Sequence, residues 1–276
     1  EGGAGNDYLD GGTDGSNGDT VYYGNATQVN GKGVTVNLGN TLAQSVGGGQ
    51  GIDTLLGIEN IIGSSYADTF RGDNTKSNTF NGGIASLLTP NVEATNDEND
   101  TVIYDELVNS NDKIVVDLSN TITSNVQVTI SGVAQGSDRL INIENVTGTA
   151  GNDTFTGNSD SNILNGGDGN DTFYITGAKT GSEQDNIIGG NNTAIGDTVD
   201  FSGVTSNNYF AQINLTSQSL LLEDSSNSNA IVRNDIVSGI ENIIGSKNAD
   251  FITGDISNNT LVGADGADSI DGAAGE

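Results

Sequence analysis

The chain of 276 residues has no cysteine and no histidine, and only 8 lysines and arginines. Each absence removes a class of chemistry. Without cysteine there are no disulfides; without histidine the commonest general base and metal ligand is missing, so zinc hydrolysis and Ser-His chemistry fall away. Hard metals held by oxygen remain open. The 8 cations stand against 37 Asp and Glu, a formal net charge of −29, so self-repulsion opposes compaction unless cations are recruited. Such a surface also repels nucleic acid and anionic membrane. No apolar run approaches the roughly 18 residues of a membrane helix, and the opening EGGAGNDYLD lacks the basic and apolar regions of a cleaved signal. Only 33% of the residues are apolar, which at this length points away from one globular core and toward two ordinary domains or an elongated array.

What is present is repetition. The blocks GIENIIGSSYADTFRG (57–72), NIENVTGTAGNDTFTG (142–157) and GIENIIGSKNADFITG (239–254) align without gaps and put Glu59, Glu144 and Glu241 in one column, with unit lengths of 85 and 97 residues. Upstream, each unit has a DTV (Asp19, Asp100, Asp197) followed by an alternating strand pattern: VTVNL (34–38), IVVDL (114–118) and AQINL (211–215). We divide the chain into repeat units over 1–83, 84–167 and 168–276. Within them runs a period of nine. Residues 148–174 divide into GTAGNDTFT, GNSDSNILN and GGDGNDTFY, and 245–271 into GSKNADFIT, GDISNNTLV and GADGADSID. The sixth place holds Asp153, Asn162, Asp171, Asp250, Asn259 and Asp268; the eighth holds Phe155, Leu164, Phe173, Ile252, Leu261 and Ile270.

A three-residue apolar-centred stretch is too short for a helix, and glycine at the first, second and fourth places lets the backbone reach positive φ without a Cβ clash. The pattern therefore predicts turn, short strand, turn, short strand. Such a strand cannot bury its apolar side chain alone, but rungs stacked about 4.7–4.9 Å apart line these side chains into an interior column, here Phe155, Leu164 and Phe173. Stacking also brings turn carboxylates together, where they repel. A divalent cation relieves the repulsion, since Ca²⁺ takes six to eight oxygens at about 2.3–2.6 Å from carboxylates and carbonyls together.

The nonapeptides GGAGNDYLD (2–10), GGDGNDTFY (166–174) and GADGADSID (263–271) resemble G-G-x-G-x-D-x-U-x, the calcium-binding repeat of the RTX (repeats-in-toxin) family. The inter-repeat blocks are similar to those of large RTX surface proteins. The resemblance implies an all-β fold, a right-handed parallel β-roll with inserted strands, in which two nonapeptides make one coil and each Ca²⁺ sits between turns two repeats apart. On that pattern Asp153 and Asp171 bracket one ion, with glycine and third-place carbonyls, including those of Gly166 and Asp168, completing the shell. Asp250 and Asp268 bracket another, with Gly263 and Asp265. Asp68 is a further ligand. Asp7, with Gly3 and Gly5, belongs to a site whose other half lies before residue 1 or at Asp19.

Departures set the remaining expectations. Asn78, Asn162 and Asn259 replace the sixth-place Asp, so their side of each roll binds calcium weakly or is held by amide hydrogen bonds. In GGTDGSNGD (11–19) and GGNNTAIGD (189–197) the turn is longer, which puts Asp19 and Asp197 in question as ligands. An Asx-type turn bonded to its own backbone is the competing reading of every sixth-place Asp. The column Glu59, Glu144, Glu241 reads as a solvated outer face, and NDEND (96–100) as a solvated loop. Paired carboxylates occur throughout, so no pair is diagnostic of catalysis and no enzymatic activity is expected. The leading reading is a calcium-folded structural module of a large secreted or cell-surface bacterial protein, an adhesin stalk or a surface-layer or filament subunit, exported by a type I-like route. The alternatives are the folding and secretion module of an exported protease, lipase or polysaccharide epimerase, and a carbohydrate-binding module; a surface glycan or self-association would be the partner besides calcium. The last repeat, GAAGE (272–276), breaks off before its Asp, as in a piece of a longer protein. In a calcium titration, circular dichroism should gain strand signal and a cooperative melt that chelator abolishes and magnesium does not reproduce; a melt indifferent to chelator contradicts the reading.

Overall fold

The computed structural model describes residues 1–13, 18–83, 99–119, 124–130, 132–179, 183–192 and 195–275. Among these, one short 3-10 turn, Ser225–Asn227, is the sole regular element that is not a strand. The predicted all-β parallel roll is what forms. The chain divides into two compact units, 1–107 with 120–147, and 108–119 with 148–276.

In the first unit, strands Thr20–Tyr22, Asn60–Ile62, Thr79–Asn81 and Val133–Ile141 lie side by side in parallel, which sets Val21, Ile61, Phe80 and Leu140 opposite one another. Strands Thr35–Asn37, Thr69–Arg71, Thr101–Ile103 and Asn145–Thr147 do the same with Val36, Phe70, Val102 and Val146. All eight of these residues are at most 1% exposed. The two faces meet inside the roll, where the rings of Phe70 and Phe80 stack at 6.1 Å. Ser124–Ile130 folds back antiparallel on Val133–Ile141. A separate small sheet pairs Tyr8–Asp10 in parallel with Ile52–Leu56, which carries Gln44–Ser45 on its other edge.

The second unit repeats the plan. Strands Lys113–Asp117, Thr154–Thr156, Thr172–Tyr174, Thr198–Asp200, Asn242–Ile244 and Thr260–Val262 form one parallel array, with Val116, Phe155, Phe173, Val199, Ile243 and Leu261 in register. On the other sheet Leu164, Ile187 and Val237 align. There the parallel order is interrupted by an antiparallel meander, Tyr209–Asn214, Ser219–Asp224 and Ala230–Ser238, before Phe251–Thr253 and Ser269–Asp271 resume it. Thr198–Asp200 and Asn242–Ile244 still pair directly, so the meander lengthens the unit without disturbing the register.

Phe155 faces Phe173 and Ile252 faces Ile270, eighteen residues on, so two nonapeptides do make one coil. One detail differs from expectation. Leu164 does not stand in a column with Phe155 and Phe173, because nine residues are half a coil and consecutive nonapeptides fall on opposite sheets. All three are nevertheless buried, and the Phe155 and Phe173 rings stack at 5.1 Å. Removing a fully buried ring from such a column costs about 3–5 kcal/mol. Phe173→Ala should therefore lower stability at saturating calcium by roughly that amount in denaturant melts, while a solvent-facing change such as Thr172→Ala on the same strand should cost far less.

Candidate metal centre

Among the described coils, most carry an acid or amide two residues before the buried apolar side chain, while Val34, Ile114 and Ala211 hold that place in three others, and along each stack a backbone N–H at this place points at the next coil. In the second unit the Asp153 N–H donates to Asp171 Oδ1 (2.7 Å), the Asp171 N–H to Asp197 Oδ1 (2.6 Å) and the Asp197 N–H to Glu241 Oε2 (2.9 Å). In the first unit Asp68 donates in the same way to Asp100 (2.6 Å), and Asp100 to Glu144 (2.9 Å). The chain thus builds ladders in which each carboxylate receives the peptide N–H of its counterpart one coil earlier. Asp68, Asp100, Asp153, Asp171, Asp197 and Asp250 are buried by it.

First-place glycine makes room for this. A Cβ at Gly148 would collide with Asp153 Oδ2 and with Gly166 O; one at Gly166 would collide with Asp171 Oδ2 and approach Gly189 O. Gly63, Gly245 and Gly263 stand in the same relation to Asp68, Asp250 and Asp268. Carboxylate and carbonyl oxygens thus share one small space beside Gly63, Gly148, Gly166 and Gly245. The turns stack as closely elsewhere: Gly167, at φ +102°, lies against Thr149 O, and Gly169, at φ +125°, against Gly151 O.

The carboxylates then divide by what occupies the second place. Where it is Ser or Thr, the protein supplies the donors. Asp153 receives the Thr149 N–H (2.6 Å), the Thr149 hydroxyl (3.0 Å) and the Ile114 N–H (2.7 Å). Asp68 is held likewise by Ser64 and Val34, and Asp250 by Ser246 and Ala211. In two turns whose second place is glycine an oxygen is left over, whereas Asp53, in the matching turn 48–56, receives the Asp7 N–H and the Tyr23 hydroxyl. Asp171 Oδ2 and Asp7 Oδ2 are buried with no hydrogen-bond partner. A buried carboxyl oxygen facing carbonyl oxygens suits a hard cation or, in its absence, a proton. Among the described residues no three acidic side chains converge on one point, so an ion held here would draw most of its shell from turn carbonyls.

The remaining predicted residues fall as follows. Asp268 is half-buried and accepts the Asp250 N–H (3.0 Å); Asp168 and Asp265 are exposed, and the Asp168 N–H reaches Thr149 O (3.2 Å). Asp19, despite its longer turn, packs against Gly11 as the other acids pack against their glycines, and Asp197 does so against Gly189. Asn162 and Asn259 close their turns with amide bonds, accepting the N–H of Asn158 (3.0 Å) and Asp255 (2.8 Å).

Three expectations are corrected. Asp7 stacks not on Asp19 but on Asp53: the Asp7 N–H donates to Asp53 Oδ1 (3.1 Å), the Gly5 N–H to Gln50 O (2.9 Å) and the Thr54 N–H to Asp7 O (2.8 Å). Gly3 and Gly5 keep positive φ in that turn. The glutamate column is no solvated face. Glu59 is buried and Glu144 and Glu241 half-buried, each ending a ladder by receiving the N–H of Asp19, Asp100 or Asp197. The acidic cluster 96–100 lies outside the described residues except for Asn99 and Asp100, and Asp100 is buried.

Sequence reasoning missed Asp53, Asp138, Asp185 and Asp235. GGQGIDTLL (48–56) matches the nonapeptide place for place and was open to detection. The others lie in coils without the double glycine, where the surviving signal is little more than Asp-x-apolar: Asp138-Arg139-Leu140, Asp185-Asn186-Ile187, Asp235-Ile236-Val237.

Fold and site together define a parallel β-roll with stacked acid-bearing turns. Residues 142–174 and 244–276 match the family model described as the RTX calcium-binding nonapeptide repeat (4 copies), and the chain carries these repeats. The matched segments contain the rungs Asp153–Asp171 and Asp250–Asp268. No curated protein matches the chain.

Burial pushes the carboxyl groups up: Asp171 to about 8, with Asp153, Asp197 and Asp168 adding repulsion, Asp153 to about 7 and Asp197 to about 6. The unfolded chain releases these protons near pH 4, so the metal-free fold holds protons that the unfolded chain does not. That contribution is complete below about pH 4 and is lost as pH rises through 6 to 8. In chelator, the chain should therefore gain strand signal as pH is lowered from about 8 to about 5, and apparent calcium affinity should rise with pH over the same window; a chelated state indifferent to pH there contradicts the assignment.

Proposed function

We propose that this chain is a calcium-folded structural segment of a large secreted or surface-anchored bacterial protein, an adhesin stalk or a subunit of a surface layer or filament. The observation that carries the reading is the orphaned, buried Asp171 Oδ2 among turn carbonyls, in a repeat whose family binds calcium. In this reading Asp153 and Asp171 hold one ion with the turn carbonyls of Gly166 and Asp168. Asp7 and Asp53 hold another with Gly3 and Gly5, and Asp250 and Asp268 a third with Gly263 and Asp265. Bound calcium supplies positive charge to the ladder; the chain supplies register, the glycine space and the apolar column. Asp68 acts through its hydrogen bonds to Ser64 and Val34, and Asp19 through its place beside Gly11.

Extracellular calcium modules of this class bind at about 10⁻⁴–10⁻³ M, so the sites are empty in a cytosol and filled outside the cell. Because empty sites leave charge uncompensated, binding and folding of the glycine-rich coils are one event. Those coils then pass an exporter unfolded and become rigid beyond it, in keeping with a type I route. We assign it no catalytic activity. Three repeats whose glutamates lie 85 and 97 residues apart favour a load-bearing or spacing role, since a secretion module needs few insertions.

Calorimetric calcium titration tests this. Asp171→Ala should lower the number of ions bound and raise the calcium midpoint for folding by about tenfold or more, given that even an outer partner of a metal ligand is worth about 10–100-fold in affinity. Asp68→Ala should instead lower stability at saturating calcium with the ion count unchanged. Equal ion counts in the wild type and Asp171→Ala would contradict the reading.

A further inference from the structure

One turn stack of the second unit contains its own cation. The Asn162 N–H donates to Asp185 Oδ1 (2.8 Å) and the Asp185 N–H to Asp235 Oδ1 (2.9 Å), so two buried aspartates succeed each other as in the glycine-rich stacks. Two basic side chains enter this stack from other parts of the chain. Lys179 Nζ, 1% exposed as a side chain, lies 2.7 Å from Asp185 Oδ1, and it donates to Asn158 O (3.1 Å) and to Asp160 O. Arg233 reaches Asp185 Oδ2 through Nη2 (2.5 Å), Asp235 Oδ2 through Nε and Gly177 O through Nη1 (3.3 Å). The Lys179 N–H is itself fixed to Val232 O (2.9 Å). The ammonium group thus spends its three donors on one carboxylate oxygen and two turn carbonyls. This is the ligand set the glycine turns offer to calcium.

The surrounding sequence has changed as a set. Asp53, Asp138 and Asp235 each precede the glutamate column by six residues. Asp53 and Asp138 receive a tyrosine hydroxyl, from Tyr23 (3.1 Å) and Tyr104 (2.8 Å), each four residues after its DTV aspartate. The corresponding residue in the third repeat is Phe201, which has no hydroxyl, and the glycine two before the aspartate (Gly51, Gly136) is there Arg233. Two charges enter where two carboxylates lack other neutralisation. Taking away one partner of such a buried set leaves an unpaired charge, which is strongly unfavourable.

We propose that Lys179, backed by Arg233, is a tethered replacement for a calcium ion in the Asn158–Asp160 turn. This stack is then closed without metal and provides a calcium-independent nucleus on which the calcium-dependent coils assemble. An ammonium on the same chain is present at high effective concentration, so calcium does not displace it. Removing it leaves Asn158 O, Asp160 O and Asp185 as an oxygen site for calcium, and a pocket of about 260 Å³ bordered by Lys179, Glu183, Arg233 and Asn234 gives an ion its entry path.

The proposal rests on calcium filling the glycine-rich stacks, and residue-resolved hydrogen exchange on the full chain separates the two ideas. In chelator, wild-type amides of Asn162, Asp185 and Asn186 should stay protected while those of Asp153 and Asp171 lose protection. K179M should lose protection at Asn162 and Asp185 in chelator, regain it with calcium, and bind one more ion than wild type. K179R, which keeps the charge, should remain protected in chelator. Loss of protection in wild-type chelator at both stacks, protection of K179M in chelator, loss in K179R, or failure of K179M to recover at any calcium concentration each overturns the proposal. Protection at Asp153 and Asp171 that ignores chelator in the wild type would instead refute the calcium reading of the glycine turns.

Discussion

The structure depends on one hydrogen bond repeated along the stack, from a peptide N–H to the carboxylate one coil further on. It fixes register, because only one residue per half-coil presents an acid at the right height, and it brings the apolar residue two places later into line. It also sets negative charges in a buried row. At coil spacing, with an effective dielectric constant near 20, neighbouring charges repel by about 3 kcal/mol, more than the roughly 1.5–3 kcal/mol a hydrogen bond to a charged group contributes. The ladder therefore needs positive charge or protons.

The chain meets that need in several ways. In Gly-Ser and Gly-Thr turns, as at Asp68, Asp153 and Asp250, hydroxyl and amide donors surround the carboxylate. At Asp138 a tyrosine hydroxyl does so, and burial raises that carboxyl to about 6. At Asp185 two basic side chains are used, and burial together with Asp235 still holds its carboxyl above the ordinary range. In Gly-Gly turns the second glycine has no side chain to offer, and an oxygen of Asp7 or Asp171 is left bare. A hydroxyl at the second place thus supplies its carboxylate with protein donors, and at Asp7 and Asp171 a glycine there leaves an oxygen open to an ion.

Much of this was legible in the sequence because the nonapeptide encodes geometry directly. Glycine at fixed places signalled the turns, and Phe155 and Phe173 signalled the buried face. The 18-residue coil followed once two nonapeptides were counted to a turn. The alternation of sheets escaped, so that Leu164 was grouped with Phe155, since a nine-residue period alone does not say which sheet a strand joins. The partner of Asp7 escaped because Asp53 is 46 residues away, with the strands Thr20–Tyr22 and Thr35–Asn37 of the two parallel sheets between them. The role of Glu59, Glu144 and Glu241 was hidden for a different reason. Glutamate is rarely buried, and only the longer reach of its side chain into a ladder explains why it is buried or half-buried here. Coils lacking the double glycine kept little more than a three-residue signature, too short to stand out in an Asp- and Asn-rich chain.

A compact fold carrying a net charge of −29 is, on this account, conditional on its surroundings, and the condition lies in the turns rather than in the apolar columns. The most direct measurement is a crystal structure of the calcium-loaded chain with anomalous data collected to reveal calcium. The account predicts anomalous peaks between the Gly148–Asp153 and Gly166–Asp171 turns and between the Gly2–Asp7 and Gly48–Asp53 turns, with an Asp171 oxygen at about 2.3–2.6 Å from the ion. An ordered roll whose glycine turns hold only water, with Asp171 Oδ2 still lacking a partner, would contradict it.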